Sequence, residues 1–221
     1  MASSPLFKVR QFIVNPCEEC TYVVHDATGE AVIIDCGTYY DSERRRLLKY
    51  LDDEALRPVR LLLTHAHHDH IYGNDIIHDR YGLLPEVHIN DKPLMTSHIF
   101  KRIAEMYRKY PHEIPLPERY LVDGEEICFG EHKLSVIHTP GHTPGSVFFY
   151  CESEGVAFSG DTLFKRDIGT TRLMFSSEED IYASLDRIIQ LLPDETVIYP
   201  GHGGKTTIGY EKLHNPFLKT I

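Results

Sequence analysis

Four histidines and one aspartate lie within six consecutive positions, from His65 to His70, in the segment LTHAHHDHIYG. Imidazoles and carboxylates are good ligands for zinc, iron and manganese, so this cluster is either a metal site or a chance grouping on a solvated loop. His65 and His67 form an H-x-H pair that can grip one ion from an extended turn. Asp69 and His70 follow at the start of the next element and point to a second position.

Three further segments share one pattern: a β-like run, a turn of small residues and a potential ligand in that turn. The ligands are His142 in IHTPGHTPGS, Asp161 in AFSGDTLF and His202 in IYPGHGG. Sites are commonly assembled at strand ends on one edge of a sheet, because the scaffold fixes the loops there. Each metal would then have about three protein ligands and an open position for water, as in catalytic sites. Asp161 has two oxygens and can bridge two cations.

The other nine histidines are interpreted as ordinary surface or core residues, because a single histidine is usually satisfied by its surroundings. His68 is expected to point away from its neighbours in the cluster. The remaining eight are His25, His78, His88, His98, His112, His132, His138 and His214.

The elements that position these turns follow from the pattern of apolar residues. Short β-like runs are predicted at 7–14, 20–26, 31–37, 59–65, 86–89, 125–130, 132–139, 146–152, 154–161 and 196–203. The run at 31–37 is apolar without alternation, so we expect it to be a central strand buried on both faces. Two sheets face to face, with helices outside, would accommodate this order of elements.

Three helices are predicted between these strands. The first is capped by Ser42, and the second begins near Asp69 and ends by Gly82. The third has Ser176 and Glu179 in capping-box spacing and stops at Pro193.

The stretch at about 92–118 departs from this alternation. Apolar residues recur at helical intervals from Ile99 to Tyr110, and three prolines then close the segment. We expect a helix packed on the core, and the alternative of a cap inserted over a site stays open for the proline-rich part.

Composition limits the class of protein. The chain has 221 residues, 42% of them hydrophobic, and a formal net charge of −10, which argues against a nucleic-acid partner. A secretory signal and an apolar run of about 20 residues are absent, so no membrane partner is expected. Five cysteines without disulfide-like spacing predict a cytoplasmic location. The C-x-x-C formed by Cys17 and Cys20 precedes a strand, which favours a structural use over a redox one.

The motifs THAHHDH, HTPGHTPGS, GDTLF and YPGHG resemble the successive metal motifs of the metallo-β-lactamase superfamily, over the chain from about residue 31 to the C-terminus. The resemblance implies an α/β fold: an αββα four-layer sandwich of two mixed β-sheets flanked by helices. It implies a single domain over 1–221, with the cap-like insertion at about 92–118 as an option and no separate C-terminal helical domain.

The resemblance also implies a ligand set and two divalent metal ions, zinc first, with iron or manganese as alternatives. Asp69 and Asp161 would act in catalysis with a metal-held hydroxide, and Asp35 matches an aspartate that lies behind the ligand turns. The implied ligands are His65, His67 and His142 for one metal, Asp69, His70 and His202 for the other, and Asp161 as the bridge.

Within the superfamily, the C-terminal segment and GDTLF are similar to compact relatives of hydroxyacylglutathione hydrolase (glyoxalase II). True β-lactamases carry Cys or Ser in place of Asp161, and flavodiiron proteins carry Glu in place of His67. RNA-processing members usually bring extra nucleic-acid elements.

One departure concerns the substrate. Relatives continue GDTLF to a segment with a basic residue near the substrate, whereas this chain reads KRDIGTTRL with Thr170 at that place. Lys165, Arg166 or Arg172 could replace the base, and a surface role for all three is the alternative.

The leading prediction is hydrolysis of an acyl thioester of the hydroxyacylglutathione type by a hydroxide that bridges two metal ions. A thiolate leaving group is weakly basic, so no dedicated general acid is required. The alternatives are a mononuclear iron persulfide dioxygenase using His65, His142 and Asp161, a lactone or ester hydrolase, and a metal-loaded binding domain. The expected partner is a small-molecule thioester, and the oligomeric state is left open.

Overall fold

The computed structural model describes residues 7–97 and 114–218. Within this part of the chain, two six-stranded mixed sheets pack face to face and helices cover their outer faces. The predicted αββα sandwich is therefore confirmed.

The first sheet is built from the N-terminal part of the chain. Its strands are β1 (Lys8–Val14), β2 (Glu19–His25), β3 (Glu30–Ile34), β4 (Arg57–Leu62), β5 (Pro85–His88) and β6 (Tyr120–Leu121). They lie in the order β1-β2-β3-β4-β5-β6. The pairs β1–β2 and β2–β3 are antiparallel, whereas the pairs from β3 to β6 are parallel. The run at 31–37 thus forms an interior strand, as predicted.

The second sheet follows in the C-terminal part. Its strands are β7 (Glu126–Phe129), β8 (His132–His138), β9 (Val147–Cys151), β10 (Val156–Gly160), β13 (Val197–Pro200) and β14 (Thr206–Thr207), and a separate ribbon is formed by β11 (Leu163–Phe164) and β12 (Asp167–Ile168). The order of the second sheet is β14-β13-β10-β9-β8-β7, and only the β10–β13 pair is parallel among its described strands. The runs predicted at 125–130 and 132–139 form the antiparallel pair β7–β8, and those at 146–152 and 154–161 form the antiparallel pair β9–β10.

Alternation along the strands divides their side chains between three apolar layers. In β3, Val32 and Ile34 face the second sheet, whereas Ala31 and Ile33 face the helices. In β9, Phe149 points between the sheets and Phe148 points outward. Strands β3 and β9 are buried on both faces because each has a partner layer on either side, which is why their sequences are apolar without alternation.

Five α-helices are described: α1 (Asp41–Asp53), α2 (Asn74–Tyr81), α3 (Lys92–Thr96), α4 (Glu178–Leu191) and α5 (Ile208–His214). Leu47 and Leu51 of α1 are fully buried against the first sheet. Ile181, Leu185 and Ile188 recur at helical spacing and bury one face of α4 against the second sheet. The helical spacing of the apolar residues therefore matches the buried faces of both helices.

The predicted start of the second helix near Asp69 is wrong. Residues His68–His70 form a short 3-10 helix, and α2 begins only at Asn74. The carbonyl of Asp69 accepts from the Asn15 side chain at 2.8 Å, and the carbonyl of His70 accepts from the Cys36 N–H at 2.8 Å. These two carbonyls accept hydrogen bonds from Asn15 and Cys36, outside the segment, instead of from N–H groups one helical turn later. An α-helix therefore does not form over 68–73.

The predicted helix caps are also corrected. The N-cap of α1 is Tyr40 and not Ser42, because the Glu43 carboxylate accepts from the N–H groups of Tyr39 and Tyr40 and closes the first turn earlier. The cap of α4 is Ser177, whose side chain accepts from the N–H of Asp180. Ser176 cannot serve in that place, since its hydroxyl donates to the carbonyl of His142 at 2.8 Å.

Most of the segment at about 92–118 lies outside the described residues. Only α3 and the residues from 114 onward are described, and the helix predicted from Ile99 to Tyr110 lies outside the described residues. Of the helices that are described, none has the length and apolar character needed to cross a bilayer.

The loops at one edge of the sandwich carry the predicted ligands. The chain leaves β3, β4, β10 and β13 at this edge, and the β8–β9 turn joins them. Two backbone hydrogen bonds tie the sheets together there: Cys20 N–H donates to Gly201 at 2.8 Å and Val147 N–H donates to Thr64 at 2.9 Å. The edge is therefore a rigid frame for the side chains that it presents.

Candidate metal centre

Three imidazole nitrogens meet in a first group of ligands. His67 Nδ1 lies 3.1 Å from His65 Nε2 and 2.9 Å from His142 Nε2. The other ring nitrogens have partners, since His65 Nδ1 lies 3.1 Å from Thr64 Oγ1 and His142 Nδ1 donates to the Thr170 carbonyl at 2.9 Å. A neutral ring carries one N–H, so both Nε2 atoms present lone pairs. His67 can donate to only one of them, and a cation would satisfy all three nitrogens.

Asp69, His70 and His202 form a second group. His70 Nδ1 donates to Asp35 at 2.9 Å, and His202 Nδ1 donates to the Cys17 carbonyl at 3.0 Å. Their Nε2 atoms face the Asp69 carboxylate, whose Oδ2 lies 3.8 Å from His70 and 3.3 Å from His202. Two ring nitrogens and the oxygens of one carboxylate thus face one another, and these are atoms that can bind a cation.

Asp161 lies between the two groups. Its Oδ2 is 3.4 Å from His142 Nε2 in the first group and 3.5 Å from His202 Nε2 in the second. Its Oδ1 is 3.4 Å from His70 Nε2. One carboxylate therefore reaches both ligand groups, as the sequence predicted for a bridging residue.

Two buried atoms in this centre have no hydrogen-bond partner among the described residues, His70 Nε2 and Asp161 Oδ1. An unsatisfied buried polar atom costs about 1–3 kcal/mol, so a further group is needed to satisfy them. In each group the possible ligand atoms lie within 4.8 Å of one another; the groups are His65, His67 and His142, and Asp69, His70 and His202. Imidazoles and carboxylates without thiolates suit zinc, iron or manganese. The residues therefore fit two divalent cations.

The first group is held in the form that binds metals. Burial lowers the pKa of His65 well below its ordinary value, and the neighbouring imidazoles lower it further. Burial and the His142 ring lower the pKa of His67 to about 3, and burial lowers the pKa of His142. These rings are neutral at neutral pH and present lone pairs without losing a proton first.

The second group concentrates negative charge around a histidine. Burial alone would lower the pKa of His70, but the carboxylates of Asp161, Asp69 and Asp35 outweigh it and raise that pKa well above its ordinary value. Burial would raise the pKa values of Asp69 and Asp161, and the adjacent histidines lower both instead. The ionised carboxylates create a strong field for a cation at this point.

Asp35 orients both ligand groups from behind. Its Oδ1 accepts from the N–H of Thr64 at 2.8 Å, and its Oδ2 accepts from the Thr64 hydroxyl at 2.7 Å and from His70 Nδ1. Because the Thr64 hydroxyl donates to Asp35, its oxygen is free to accept from His65 Nδ1. The backbone of Asp35 is left-handed, with φ of 54°, a region that Asp tolerates better than most residues.

Asp91 is a supporting residue that the sequence analysis missed. Its side chain is fully buried and Oδ2 accepts from the N–H of Ala66 at 2.8 Å and the hydroxyl of Thr143 at 3.0 Å. Oδ1 accepts from the N–H of Gly145 at 2.6 Å. One carboxylate therefore fixes the H-x-H loop to the His142 turn. The signal that could have found it is its place just after β5, where the ligand-bearing turns also begin.

Glu19 is a second residue that the sequence analysis missed. Its carboxylate is fully buried, accepts from the Thr21 hydroxyl at 2.8 Å and lies 3.9 Å from His70 Nδ1. Burial raises the pKa of Glu19 well above its ordinary value. Its position at the first residue of β2, directly after Glu18, gave no local signal, because only the fold brings it to His70.

Two glycines permit the close packing of the centre. A Cβ at Gly201 would collide with Asp161 Oδ1 and lie 2.8 Å from His70 Cε1, and one at Gly169 would collide with the Asp161 carbonyl. A side chain at either position would displace the bridging carboxylate. The small residues of the turns are therefore required by close approach rather than by turn geometry alone.

A cavity of about 530 Å³ opens onto the ligands and is lined in part by His67, Asp69, His142 and Asp161. Thr170, one of the predicted substrate residues, also lines it. So does His68, which the sequence analysis expected to point away from the cluster.

The other predicted substrate residues lie elsewhere. Lys165 places its ammonium 5.7 Å from the ring centre of Tyr210 on α5, and the backbone N–H of Arg166 donates to Glu211 on the same helix. Arg172 is exposed, and its N–H donates to Thr170 Oγ1 at 3.3 Å. These positions offer no support for a contact with substrate, and the prediction remains untested.

The comparisons with known proteins agree with this geometry. The family model described as the metallo-beta-lactamase superfamily matches residues 15–202. The hydroxyacylglutathione hydrolase GloC of Haemophilus influenzae is 32% identical over 202 residues, which cover 90% of this chain and 92% of that protein.

Two solved structures are similar over almost their whole length. The BLEG-1 B3 metallo-beta-lactamase is 35% identical with a TM-score of 0.83, and the match covers 96% of this chain and 99% of that one. TTHA1623 in a di-iron-bound form is 35% identical with a TM-score of 0.82, and the match covers 95% of this chain and all of that one, 100%. A relative with two metal ions thus shares the fold.

Proposed function

The chain belongs to the metallo-beta-lactamase superfamily, and on that premise we propose that it hydrolyses acyl thioesters with two divalent cations. The observation that carries the proposal is the convergence of possible metal-ligand atoms from two groups of side chains that share one carboxylate. These side chains are His65, His67 and His142, then Asp69, His70 and His202, with Asp161 between them.

Cations bound by these groups would lower the pKa of water toward about 7 and polarise a carbonyl. The chain holds the reacting groups in place. His65, His67 and His142 are neutral ligands, whereas the ionised carboxylates of Asp69 and Asp161 face the cavity and can accept a hydrogen bond from the attacking water. A thiolate leaves without a proton, so the absence of a further acid from the predicted site residues suits a thioester.

The second group of ligands favours two cations over one. A mononuclear iron dioxygenase would need only His65, His142 and Asp161. The buried, unpartnered Nε2 of His70 and the Asp69 carboxylate near His202 would then have no use. A two-cation centre uses all of them.

We propose zinc as the resident ion, with iron or manganese as the alternatives, and a small molecule as the substrate. The similarity to GloC supports a thioester, because that relative is a hydroxyacylglutathione hydrolase. The formal net charge of −10 speaks against a nucleic-acid substrate.

The test is hydrolysis of a panel of thioesters by protein loaded with zinc, iron or manganese. We expect at least one metal form to cleave thioesters far faster than buffer, and His70→Ala to lose most of that rate. Oxygen uptake with glutathione persulfide, without thioester cleavage, would instead identify a dioxygenase and refute the proposal.

A second candidate is hydrolysis of a β-lactam ring, which the similarity to the BLEG-1 B3 metallo-beta-lactamase favours. The same groups would present water to an amide carbonyl. An amide nitrogen leaves less readily than a thiolate and gains from a proton donor, so this reaction demands more of the site. Nitrocefin hydrolysis measured beside the thioester panel separates the two candidates.

A further inference from the structure

The turn between β1 and β2, residues 15–18, reaches the second group of ligands through the side chain of Asn15. The amide Nδ2 of Asn15 donates to the carbonyl of Asp69 at 2.8 Å and to the carbonyl of Gly37 at 3.0 Å. Its Oδ1 accepts from the N–H of Cys17 at 2.9 Å. The amide therefore uses both of its donors and its oxygen, and it ties the β1–β2 turn to the loop that carries Asp69.

The same turn orients a second ligand of this group, His202. The carbonyl of Cys17 accepts from His202 Nδ1 at 3.0 Å, and the Nε2 of that ring then lies 3.3 Å from Asp69 Oδ2. Because Asn15 holds the N–H of Cys17, it also steadies the residue that fixes the His202 ring. One buried amide thus supports Asp69 directly and His202 through Cys17.

The backbone of Asn15 is fixed in a conformation that suits this place. Its φ is 53°, in the left-handed region, which Asn tolerates better than most residues. Its N–H donates to Glu43 Oε1 at 2.9 Å, and its carbonyl accepts from the N–H of Glu18 at 3.2 Å. Every polar group of Asn15 therefore has a partner, and the residue can hold its neighbours in place.

A glycine allows the three chain segments to meet at Asn15. A Cβ at Gly37 would collide with the carbonyl oxygen of Asp69 and would lie 2.7 Å from Asn15 Nδ2. The segment after β3 thus approaches the amide without a side chain between them. The contact between Asn15 and Asp69 depends on this close approach.

The ligands of the second group have different supports. Asp35 accepts from His70 Nδ1 and so orients one of the three ligands. The other two, Asp69 and His202, are the ligands that the β1–β2 turn contacts. None of the hydrogen bonds of Asn15 named above reaches the first group of ligands. Loss of this amide should therefore affect one cation site and not the other.

We propose that Asn15 is a positioning residue that sets the affinity of the cation site formed by Asp69, His70 and His202. This inference rests on the two cations of the proposed function. An amide suits the role because it donates to two carbonyls while its oxygen accepts from an N–H, which an ionised carboxylate cannot do.

Two variants of the whole chain remove these contacts in different ways. Asn15→Gly keeps the left-handed backbone accessible and removes the amide. Asn15→Asp keeps the acceptor for the N–H of Cys17 and loses the donors to Asp69 and Gly37. In a Co²⁺ titration followed by visible absorption, we expect each variant to weaken one of the two wild-type binding steps by about tenfold or more. The other step should be unchanged.

Anomalous scattering identifies the weakened site. Crystals of Asn15→Gly are equilibrated with Co²⁺ at a concentration that fills both sites of the wild type but only the tighter site of the variant. We expect the remaining peak among His65, His67 and His142. A general loss of stability would not select one site in this way.

Asn215→Gly is the matched control. Asn215 is also buried, and its Nδ2 donates to the carbonyl of Asp167 at 3.1 Å and to Glu211 Oε2 at 2.9 Å. Its Oδ1 accepts from the N–H two residues later, that of Phe217, at 3.0 Å. None of these partners is a predicted metal ligand. The control loses a comparable set of hydrogen bonds and should leave both Co²⁺ steps unchanged.

The outcomes separate this inference from the proposed function. If the wild type binds two ions and the Asn15 variants weaken neither step, or weaken both equally, the positioning role is overturned while the two-cation centre stands. The same change in Asn215→Gly, or a remaining peak among Asp69, His70 and His202, would also overturn it. If the wild type binds fewer than two ions, the two-cation centre itself fails, and this inference fails with it.

Discussion

His70 donates from Nδ1 to Asp35 Oδ2 over 2.9 Å, and this bond turns its Nε2 toward the carboxylates of Asp161 and Asp69. Asp35 also accepts from the N–H and hydroxyl of Thr64, so one buried side chain sets the orientation of ligands on both sides of the H-x-H-x-D-H loop. The ring orientation of His70 is thus determined by a residue that follows a different strand.

Asp35→Asn is expected to weaken metal binding by about 10–100-fold, because an amide cannot accept from Thr64 and His70 together as the carboxylate does. Asn tolerates the left-handed backbone at this position, so the fold should remain. Titration with Zn²⁺ against a competing chelator measures the loss. Asp53→Asn, an exposed change on α1, is the control, and equal affinity in both variants would contradict the role of Asp35.

Asp161→Ala is expected to reduce turnover by roughly a thousandfold or more while leaving the fold intact, because its carboxylate reaches both ligand groups. Circular dichroism checks the fold, and metal analysis should find fewer than two ions per chain. A variant that keeps both ions and its turnover would refute the bridging role.

Asp91→Asn is expected to weaken the site at His65, His67 and His142 more than the site at Asp69, His70 and His202. Asp91 accepts from the N–H of Ala66, which lies between His65 and His67, and from the hydroxyl of Thr143, which follows His142, so its contacts adjoin ligands of the first group. In a Co²⁺ titration followed by visible absorption, we expect two binding steps in the wild type. In Asp91→Asn, we expect the Co²⁺ affinity of one of the two steps to fall by about tenfold. Equal weakening of both steps would point to a general loss of stability instead.

Asp26 supplies a prediction on pH. Burial would raise the pKa of Asp26, but hydrogen bonds from Thr28, the Glu131 N–H and His132 outweigh it and lower the pKa from 3.8 to about 2. A carboxylate whose pKa is lower in the folded state than in the unfolded state stabilises the fold at pH values above the unfolded pKa. This stabilisation is lost as the pH falls through the folded pKa. The contribution near neutral pH is about 2 kcal/mol.

Asp26→Asn should therefore lower the free energy of unfolding by about 2 kcal/mol at pH 7, and the difference from wild type should vanish as pH falls from about 4 to about 2. Urea unfolding at each pH measures it. Both proteins keep the same metal ligands, so metal loss at low pH cancels in the difference. Glu126→Gln removes an exposed ion pair with Lys133 and should change stability little at any pH. A pH-independent difference for Asp26→Asn would contradict the pKa shift.

The ligand set could be predicted because its signal is local. His65, His67, Asp69 and His70 are adjacent in the chain, and His142, Asp161 and His202 each follow a β-like run in a turn of small residues. Strands of one sheet edge bring such turns together, and the structure places these side chains within a few ångströms of one another.

The supporting contacts could not be predicted, since they depend on tertiary neighbours. Asp91 accepts from Ala66 and Thr143, and its place after β5 does not by itself reveal these partners. Glu19 approaches His70 from another strand, and no feature of its sequence surroundings marks it. The predicted starts of the helices were wrong for the same reason. The second helix begins at Asn74 because Asn15 and Cys36 bind the carbonyls that an earlier helix would use.

The central claim is that seven side chains hold two cations at one edge of the sandwich. Anomalous scattering from crystals of the metal-loaded protein, recorded on both sides of the metal absorption edge, tests it most directly. We predict two peaks per chain, one among His65, His67 and His142 and one among Asp69, His70 and His202, with Asp161 between them. A single peak, or peaks away from these residues, would contradict the account.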